Sequence, residues 1–579
     1  MLAIAAWALP IGAAGAGAAF VLLRLIGVIT NLVFRQSLGT SLVAPGQGRP
    51  AWWLVLGAPA LGGLVIGVMA RFGSEKIRGH GMPEAIEAIL TRGSVVAPRL
   101  ALLKPVSAAV SIGTGGPFGA EGPIIMTGGA IGSLVAQMRH LTAAERKTLL
   151  VAGAAAGMAA TFNSPMAAVL LAVELLLFEW RPRSFVPVVA AVAVATVVRG
   201  FLLGTAPLFP AVDPTVRPSP TADLLAVVCG LTGGGLAVVV TWLVYRAEDA
   251  FARLPFHWMW WPAIGGLVIG AGGLVEPRAL GVGYDVIRQL LAGRATLSLI
   301  LGVLVVKTLI WSLSLGSGTS GGVLAPVFMI GGALGAWEGM LFPPVAPGFW
   351  AMLGLAAVVG GVMRSPLTGV VFTLELTHAW DAAPALLISA TSAYALSVLV
   401  LRRSVLTEKV ARRGLHLTRE YVTDPLEAHF VREVMHTEPL SLEEGDSVDA
   451  AFADRLAEHR RTTGRPQRLI PVLKPDGAVS GVTTRRTLTG LVQQGGSAAV
   501  SDAARPCQLV VHSDHTLRHV AFLFAEYALT SAPVIDPGSK RLVGVIALAD
   551  LLHARRYRLT EERHRGRVIL RRHRAGVGV

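Results

Sequence analysis

The chain has 579 residues, 53% of them hydrophobic and only 15% charged, with a mean hydropathy of +0.60. That balance excludes an ordinary soluble enzyme of this length and calls for residence in a membrane. The formal charge of +15 is unevenly placed, because hydrophobic sequence runs to about Leu401 and an ordinary charged segment follows, so two parts are expected.

Apolar stretches long enough to cross a bilayer are predicted at residues 2–34, 52–70, 222–244 and 384–400. The first lacks the basic start and small-residue cleavage site of a secretory signal and is kept as structure. Between about residues 81 and 172, and again between 281 and 377, Gly and Pro cut the apolar runs into pieces shorter than a span. Discontinuous helices of this kind survive in a membrane only where protein or a watery cavity satisfies the freed backbone groups. Cys229 and Cys507 fall in different parts of the chain, so neither a disulfide framework nor a cysteine metal site is supported. Arg402, Arg403, Arg412 and Arg413 follow the last span, and nine Arg lie between residues 555 and 574, which places the tail on the cytoplasmic side of the plasma (inner) membrane.

The membrane part contains itself twice, at an offset of about 200 residues. Gly79-His80-Gly81 matches Gly281-Val282-Gly283, Lys104 matches Lys307, and Pro123 with the following Gly128-Gly129-Ala130 matches Pro326 with Gly331-Gly332-Ala333. Asn163-Ser164-Pro165 leads to Glu174 as Arg364-Ser365-Pro366 leads to Glu375. A duplicated membrane unit with broken helices is the build of secondary transporters and some channels, whose substrate site lies where the repeats meet.

Two glycine-rich turns join apolar stretches, residues 113–123 and 316–326. Glycine lets the backbone turn tightly and approach a ligand, and Pro123 and Pro326 suit helix starts. A helix N-terminus carries roughly half a positive charge, so several aimed at one point hold an anion weakly enough to let it pass. Glu121 stands inside the first turn, where an ionised carboxylate is costly without a purpose. It is itself an anion, able to occupy the ion's place and swing out when protonated; the bland alternative is a helix N-cap acid. Glu174 and Glu375 read as structural acids that cap buried loops.

These residues resemble the CLC family of chloride channels and chloride/proton antiporters over nearly the whole chain. Gly79-His80-Gly81-Met82-Pro83 resembles the family's GSGIP, Gly119-Ala120-Glu121-Gly122-Pro123 its G(K/R)EGP, and Gly322-Val323-Leu324-Ala325-Pro326 its GxFxP. The resemblance implies a polytopic all-α domain with inverted repeats, a homodimer with one pore per subunit, and no cofactor. It makes Glu121 the gate and sets the backbone N–H groups of Val323 and Leu324 at a chloride or other small anion, with protons as the coupled partner in antiporters. Lys104 matches a lysine near the pore, whose alternative is a structural ion pair. Three residues depart from the pattern. His80 replaces the usual serine, leaving either its imidazole or only the backbone N–H to hold the anion. Leu406 falls where an ion-contacting tyrosine is expected, Tyr394 lying too early. Leu175 replaces the inner proton-transferring glutamate of many antiporters, with Glu179 one helical turn beyond it beside Arg181 and Arg183. A channel-like or weakly proton-coupled pathway is therefore expected, with a strict antiporter as the alternative.

The tail alternates short strands with amphipathic helices and is also doubled. Val434-Met435, Ser447-Val448-Asp449, Leu469 to Val472 and Gly481 to Thr484 recur as Ala503, Leu517, Ala532 to Ile535 and Gly544 to Asp550. This resembles a pair of CBS modules, an α/β domain. The resemblance implies a cleft for an adenine nucleotide with Asp550 on the ribose, Thr487 standing in the matching place of the first copy; a purely structural dimer clamp is the alternative. The expected divisions are a transmembrane domain at 1–404, a linker at 405–430, modules at 431–494 and 495–556, and a basic tail at 557–579 that meets anionic lipid or the module surface. No nucleic-acid partner is expected. Nor is an enzyme, because the pore segments hold no nucleophile, metal or cofactor constellation. The rivals from other classes are a membrane sensor whose tail reads a ligand, and a cation transporter, which would need acids or unwound carbonyls at the midplane.

Overall fold

The computed structural model describes residues 1–48, 50–91, 93–210, 213, 218–413, 426, 429–448, 467–493 and 498–553. The chain divides into two compact units, Met1–Arg419 and Glu420–Val579. Among the described residues seven helical stretches are long and apolar enough to cross a membrane, from Leu2–Arg35 to Trp380–Arg412. Each predicted span lies inside one of them.

The elements that build the centre are shorter. In the first half they are α1 (Met82–Thr91), α2 (Pro98–Gly113), α3 (Glu121–Met138), α4 (Ala143–Phe162) and α5 (Pro165–Leu171). In the second half the counterparts are α6 (Tyr284–Leu291), α7 (Thr308–Gly316), α8 (Leu324–Glu338), α9 (Phe349–Met363) and α10 (Pro366–Thr377). Helices α8 and α9, and α4 from Thr148 onward, are almost wholly buried and apolar, as helices surrounded on all sides must be. Two π-helical segments, Ala172–Leu177 and Gly302–Lys307, interrupt the regular ladder. They carry Glu174 and Lys307, two of the few ionisable groups inside the bundle.

The repeat is visible as contacts that each half returns to the other. Asn163 and Arg364 close α4 and α9 in the left-handed conformation, both at φ 57°, and Pro165 and Pro366 open the next helices. The carboxylate of Glu375 accepts the N–H groups of Met166 (2.9 Å) and Ala167 (2.8 Å) at the start of α5. The carboxylate of Glu174 accepts the N–H (3.2 Å) and hydroxyl (2.5 Å) of Thr368 at the start of α10. Each acid thus satisfies orphan donors at a helix N-terminus of the other half. Such an exchange is what a two-fold relation between the halves produces.

Val405–Arg412, assigned from sequence to the start of a linker, is instead a helix, α11, of the membrane unit. Its capping box, Ser404 with Thr407, starts it, and Val405, Leu406 and Val410 are buried on one face.

The second unit repeats one sheet. Strands β1 (Leu442–Glu443), β3 (Leu469–Leu473) and β4 (Val479–Thr484) form it first, and β6 (Val511–His512), β7 (Ser531–Ile535) and β8 (Leu542–Ala547) again, each with a parallel then an antiparallel pair. Both antiparallel pairs slip register at the same place, between Val472 and Leu473 and between Val534 and Ile535. Strands β2 (Ser447–Val448) and β5 (Ala498–Ala499) pair separately. Asp449, most of the expected linker and the basic tail at 557–579 lie outside the described residues.

Candidate anion site

The two glycine turns lie against each other. Gly322 donates its N–H to the Gly119 carbonyl at 2.8 Å, and Gly119 returns the bond at 3.3 Å. These two amides, expected from sequence to face an anion, are consumed in holding the turns together. Beyond them the chain enters α3 at Glu121 and α8 at Leu324.

Glu121 is 1% exposed, and its Oε1 accepts the N–H of Leu324 and, at 3.2 Å, that of Ala325. The carboxylate therefore occupies the N-terminus of α8, where free N–H groups and the helix dipole favour negative charge. Among the described residues its Oε2 has no hydrogen-bond partner. A Cβ on Gly119 or Gly322 would fall on this carboxylate, so both positions must be glycine for the acid to sit where it does. Sequence reasoning chose Val323 and Leu324; Val323 is the N-cap, and Ala325 is the second donor it missed.

A third helix start joins them. Gly79 and Gly81 take φ of 78° and 85°, the left-handed region that suits glycine, and place His80 between them before α1 opens at Met82 and Pro83. A Cβ on Gly122 would fall on the His80 carbonyl, and one on Gly81 would lie 2.7 Å from the Gly122 carbonyl, so the His80 turn abuts the start of α3. Pro123 sits in the first turn of α3. His80 is 3% exposed, and among the described residues its Nδ1 has no hydrogen-bond partner.

Lys104 is fully buried, and its Nζ donates to the carbonyls of Ile77 and Gly79 at 2.7 Å each. Its repeat partner Lys307 donates to the Gly281 carbonyl at 2.7 Å. Lys104 thus fixes the backbone of the His80 turn, in place of the ion pair weighed as the alternative. Helix α11 packs on α1, and its Leu406 is fully buried. Three residues on, Lys409 lies over Gly79 and pairs with Glu84 at 3.7 Å, and Arg413 pairs with Glu84 and Glu87. Helical spacing from Leu406 would have found Lys409, had those residues been read as a helix. A cavity of about 470 Å³ opens beside this turn, lined by Lys76, Arg78, Lys409 and Arg413 with Glu75 and Glu87 among the acids.

Leu175 is buried and apolar, and Glu179 is tied to the Ser184 hydroxyl (2.7 Å) and Arg181 (3.6 Å). Tyr284, which opens α6, was not singled out. Its ring lies edge-on to those of Phe162 and Phe209, and its buried hydroxyl has no hydrogen-bond partner among the described residues. In the second unit Asp550 accepts the Ala547 N–H at 2.9 Å, the return bond of a capping box. A cleft of about 850 Å³ between the two modules is lined instead by Arg468, Thr484, Arg485, Arg486, Thr530 and Ser531.

Helix N-termini gathered around one buried carboxylate, between interlocked halves of a polytopic bundle, define a duplicated membrane protein of anion-transporter build. Residues 62–398 match the sequence model of the voltage gated chloride channel family, and residues 431–493 and 500–557 match the CBS domain. The chain belongs to the CLC family and carries a CBS pair. It is 30% identical over 371 residues to the voltage-gated ClC-type chloride channel ClcB of Salmonella typhimurium, covering 62% of this chain and 87% of that relative. It is 33% identical over 346 residues to the H(+)/Cl(-) exchange transporter ClcA of Salmonella paratyphi A, covering 56% and 72%. In fold it is similar to a slow cyanobacterial Cl-/H+ antiporter (TM-score 0.62, 22% identity, 71% of this chain and 97% of that one). A eukaryotic CLC transporter aligns over 95% of this chain and 98% of its own, with TM-score 0.59 and 21% identity.

Proposed function

We propose that the chain conducts chloride or another small anion across the plasma (inner) membrane, gated by Glu121, in a channel-like or weakly proton-coupled mode, with its C-terminal unit in the cytoplasm. The observation that carries this reading is the Glu121 carboxylate on the N–H groups of Leu324 and Ala325. Donors that hold a carboxylate hold an inorganic anion by the same bonds, and the acid must leave before the ion can enter. The donors given to Glu121 are backbone N–H groups, and among the described residues no cationic side chain is paired with it, which favours passage over trapping.

Weak coupling is supported by Leu175, an apolar residue where a second proton carrier would stand, and by Glu179, whose partners are Arg181 and Ser184. The relative ClcA is named an exchange transporter, so a strict chloride/proton antiporter is the second reading. A sensor in which the CBS pair reads a ligand is the third. The family resemblance supports a homodimer, and the arginine-lined cleft of the CBS pair suits the phosphates of an adenine nucleotide. Purified protein in liposomes, with external chloride and pH recorded together, separates the three. The proposed mode gives chloride efflux with little or no opposed proton movement, and a strict antiporter moves protons in fixed ratio. A sensor gives no flux, which would overturn the proposal.

A further inference from the structure

The turn between β6 and the helix Leu517–Glu526 gathers metal-ligating side chains that the transport reading leaves unused. One donor atom each from His512, Asp514 and His515 all lie within 4.8 Å of one another. The His515 ring stacks on that of His512, centroids 4.9 Å apart and planes 13° apart, and meets His519 edge-on at 4.6 Å. Three of the chain's 14 histidines therefore converge on one turn.

The turn is held from both sides. Val431 donates its N–H to the His515 carbonyl (2.9 Å), Arg432 to the Ser513 carbonyl (3.0 Å), and Ser513 to the Ile535 carbonyl (3.1 Å). Leu517 donates to the His429 carbonyl (3.0 Å), and the Thr516 hydroxyl accepts the His519 N–H (3.3 Å) as the helix N-cap. The His512 N–H donates to His515 Nδ1 at 3.4 Å, which orients the ring with its proton on Nε2, so an ion binding His515 takes the Nδ1 lone pair in exchange for this long bond. A backbone fixed this firmly costs little further ordering when an ion binds.

Imidazole with one carboxylate is the donor set of borderline transition metals, whereas Mg²⁺ and Ca²⁺ seek oxygen alone. We propose that His512, Asp514 and His515 form a divalent transition-metal site of the Zn²⁺ class on the second CBS module. A merely stacked pair of surface imidazoles would hold no ion.

The test uses the full-length protein in detergent, without a histidine tag, stripped with chelator, loaded with ZnCl₂ and desalted before elemental analysis. Wild type should retain about one zinc per chain, as a three- or four-ligand site does, and His512→Ala/His515→Ala should retain none. Loaded with Co²⁺, wild type should show the intense visible bands of tetrahedral or five-coordinate cobalt, and the double variant only the faint spectrum of the hydrated ion. Should the double variant lose its fold by circular dichroism, His512→Gln and Asp514→Asn, which preserve shape, must each lower zinc retention. Wild type holding no more zinc than these variants, or showing only the hydrated-cobalt spectrum, overturns the proposal. Because the readout is bound metal, it stands apart from whether chloride moves.

Discussion

Replacing Glu121 by Gln keeps the side chain's shape but removes the charge from the two bonds made with Leu324 and Ala325. A hydrogen bond to a charged group contributes about 1.5–3 kcal/mol net, against about 1 for a neutral one. Across two bonds the weakening is on the order of 2 kcal/mol, and at 1.4 kcal/mol per tenfold this corresponds to roughly thirtyfold. An anion entering the N-terminus of α8 has that much less competition to overcome. Chloride should therefore bind E121Q roughly thirtyfold more tightly than wild type at neutral pH. Isothermal titration of chloride into detergent-purified protein held in chloride-free buffer measures this directly. Equal affinities, or weaker binding by E121Q, would refute the assignment of Glu121 as the ion's competitor. Liposome flux should agree, because a gate that has lost its charge no longer closes in response to pH.

Gly119→Ala sets a methyl group on the Glu121 carboxylate while sparing the Gly119–Gly322 backbone pair. Its flux should approach that of E121Q in size and in loss of pH dependence; wild-type behaviour in the efflux assay would show that the acid need not sit there. Glu375→Ala strands the N–H groups of Met166 and Ala167, at about 1–3 kcal/mol for each buried donor left unpaired. The thermal midpoint of the detergent-solubilised protein should fall by several degrees, and Glu174→Ala should match it through Thr368. Lys104→Met removes the charged donor from the Ile77 and Gly79 carbonyls and should weaken chloride binding several-fold in an E121Q background by titration. His80→Ala should change the permeability ratios among chloride, bromide and nitrate in bi-ionic measurements, and identical ratios would remove His80 from the pathway.

The membrane spans were legible because hydropathy measures the transfer that places them, and Glu121 because an acid among glycines in apolar sequence has few other reasons to exist. Glu174 and Glu375 could be read as caps, but not as caps of each other's half, since a contact between residues about 200 positions apart leaves no periodic trace. Lys104 stands out in the sequence as a cation in an apolar run, but its partners do not: carbonyls lie everywhere in a chain, and only folding selects those of Ile77 and Gly79. Lys409 was hidden because charged residues after the last span resemble a solvated linker, while burial of Val405, Leu406 and Val410 makes them a membrane-unit helix. Tyr284 was hidden because a tyrosine after Gly283 reads as any helix start, and its stranded hydroxyl is a property of surroundings. The motif that singles out Asp550 gives no sign that its carboxylate accepts the N–H of Ala547, since that bond depends on how the chain turns after the strand.

The crossed bonds of Glu174 and Glu375 have a consequence for how such a chain is made. While the ribosome is still producing the second repeat, α5 has been synthesised but the acid that completes it has not, so the first repeat waits in the lipid with two donors unmet. Neither repeat is a finished object alone. A gene cut between them should yield protein only when both pieces are expressed together.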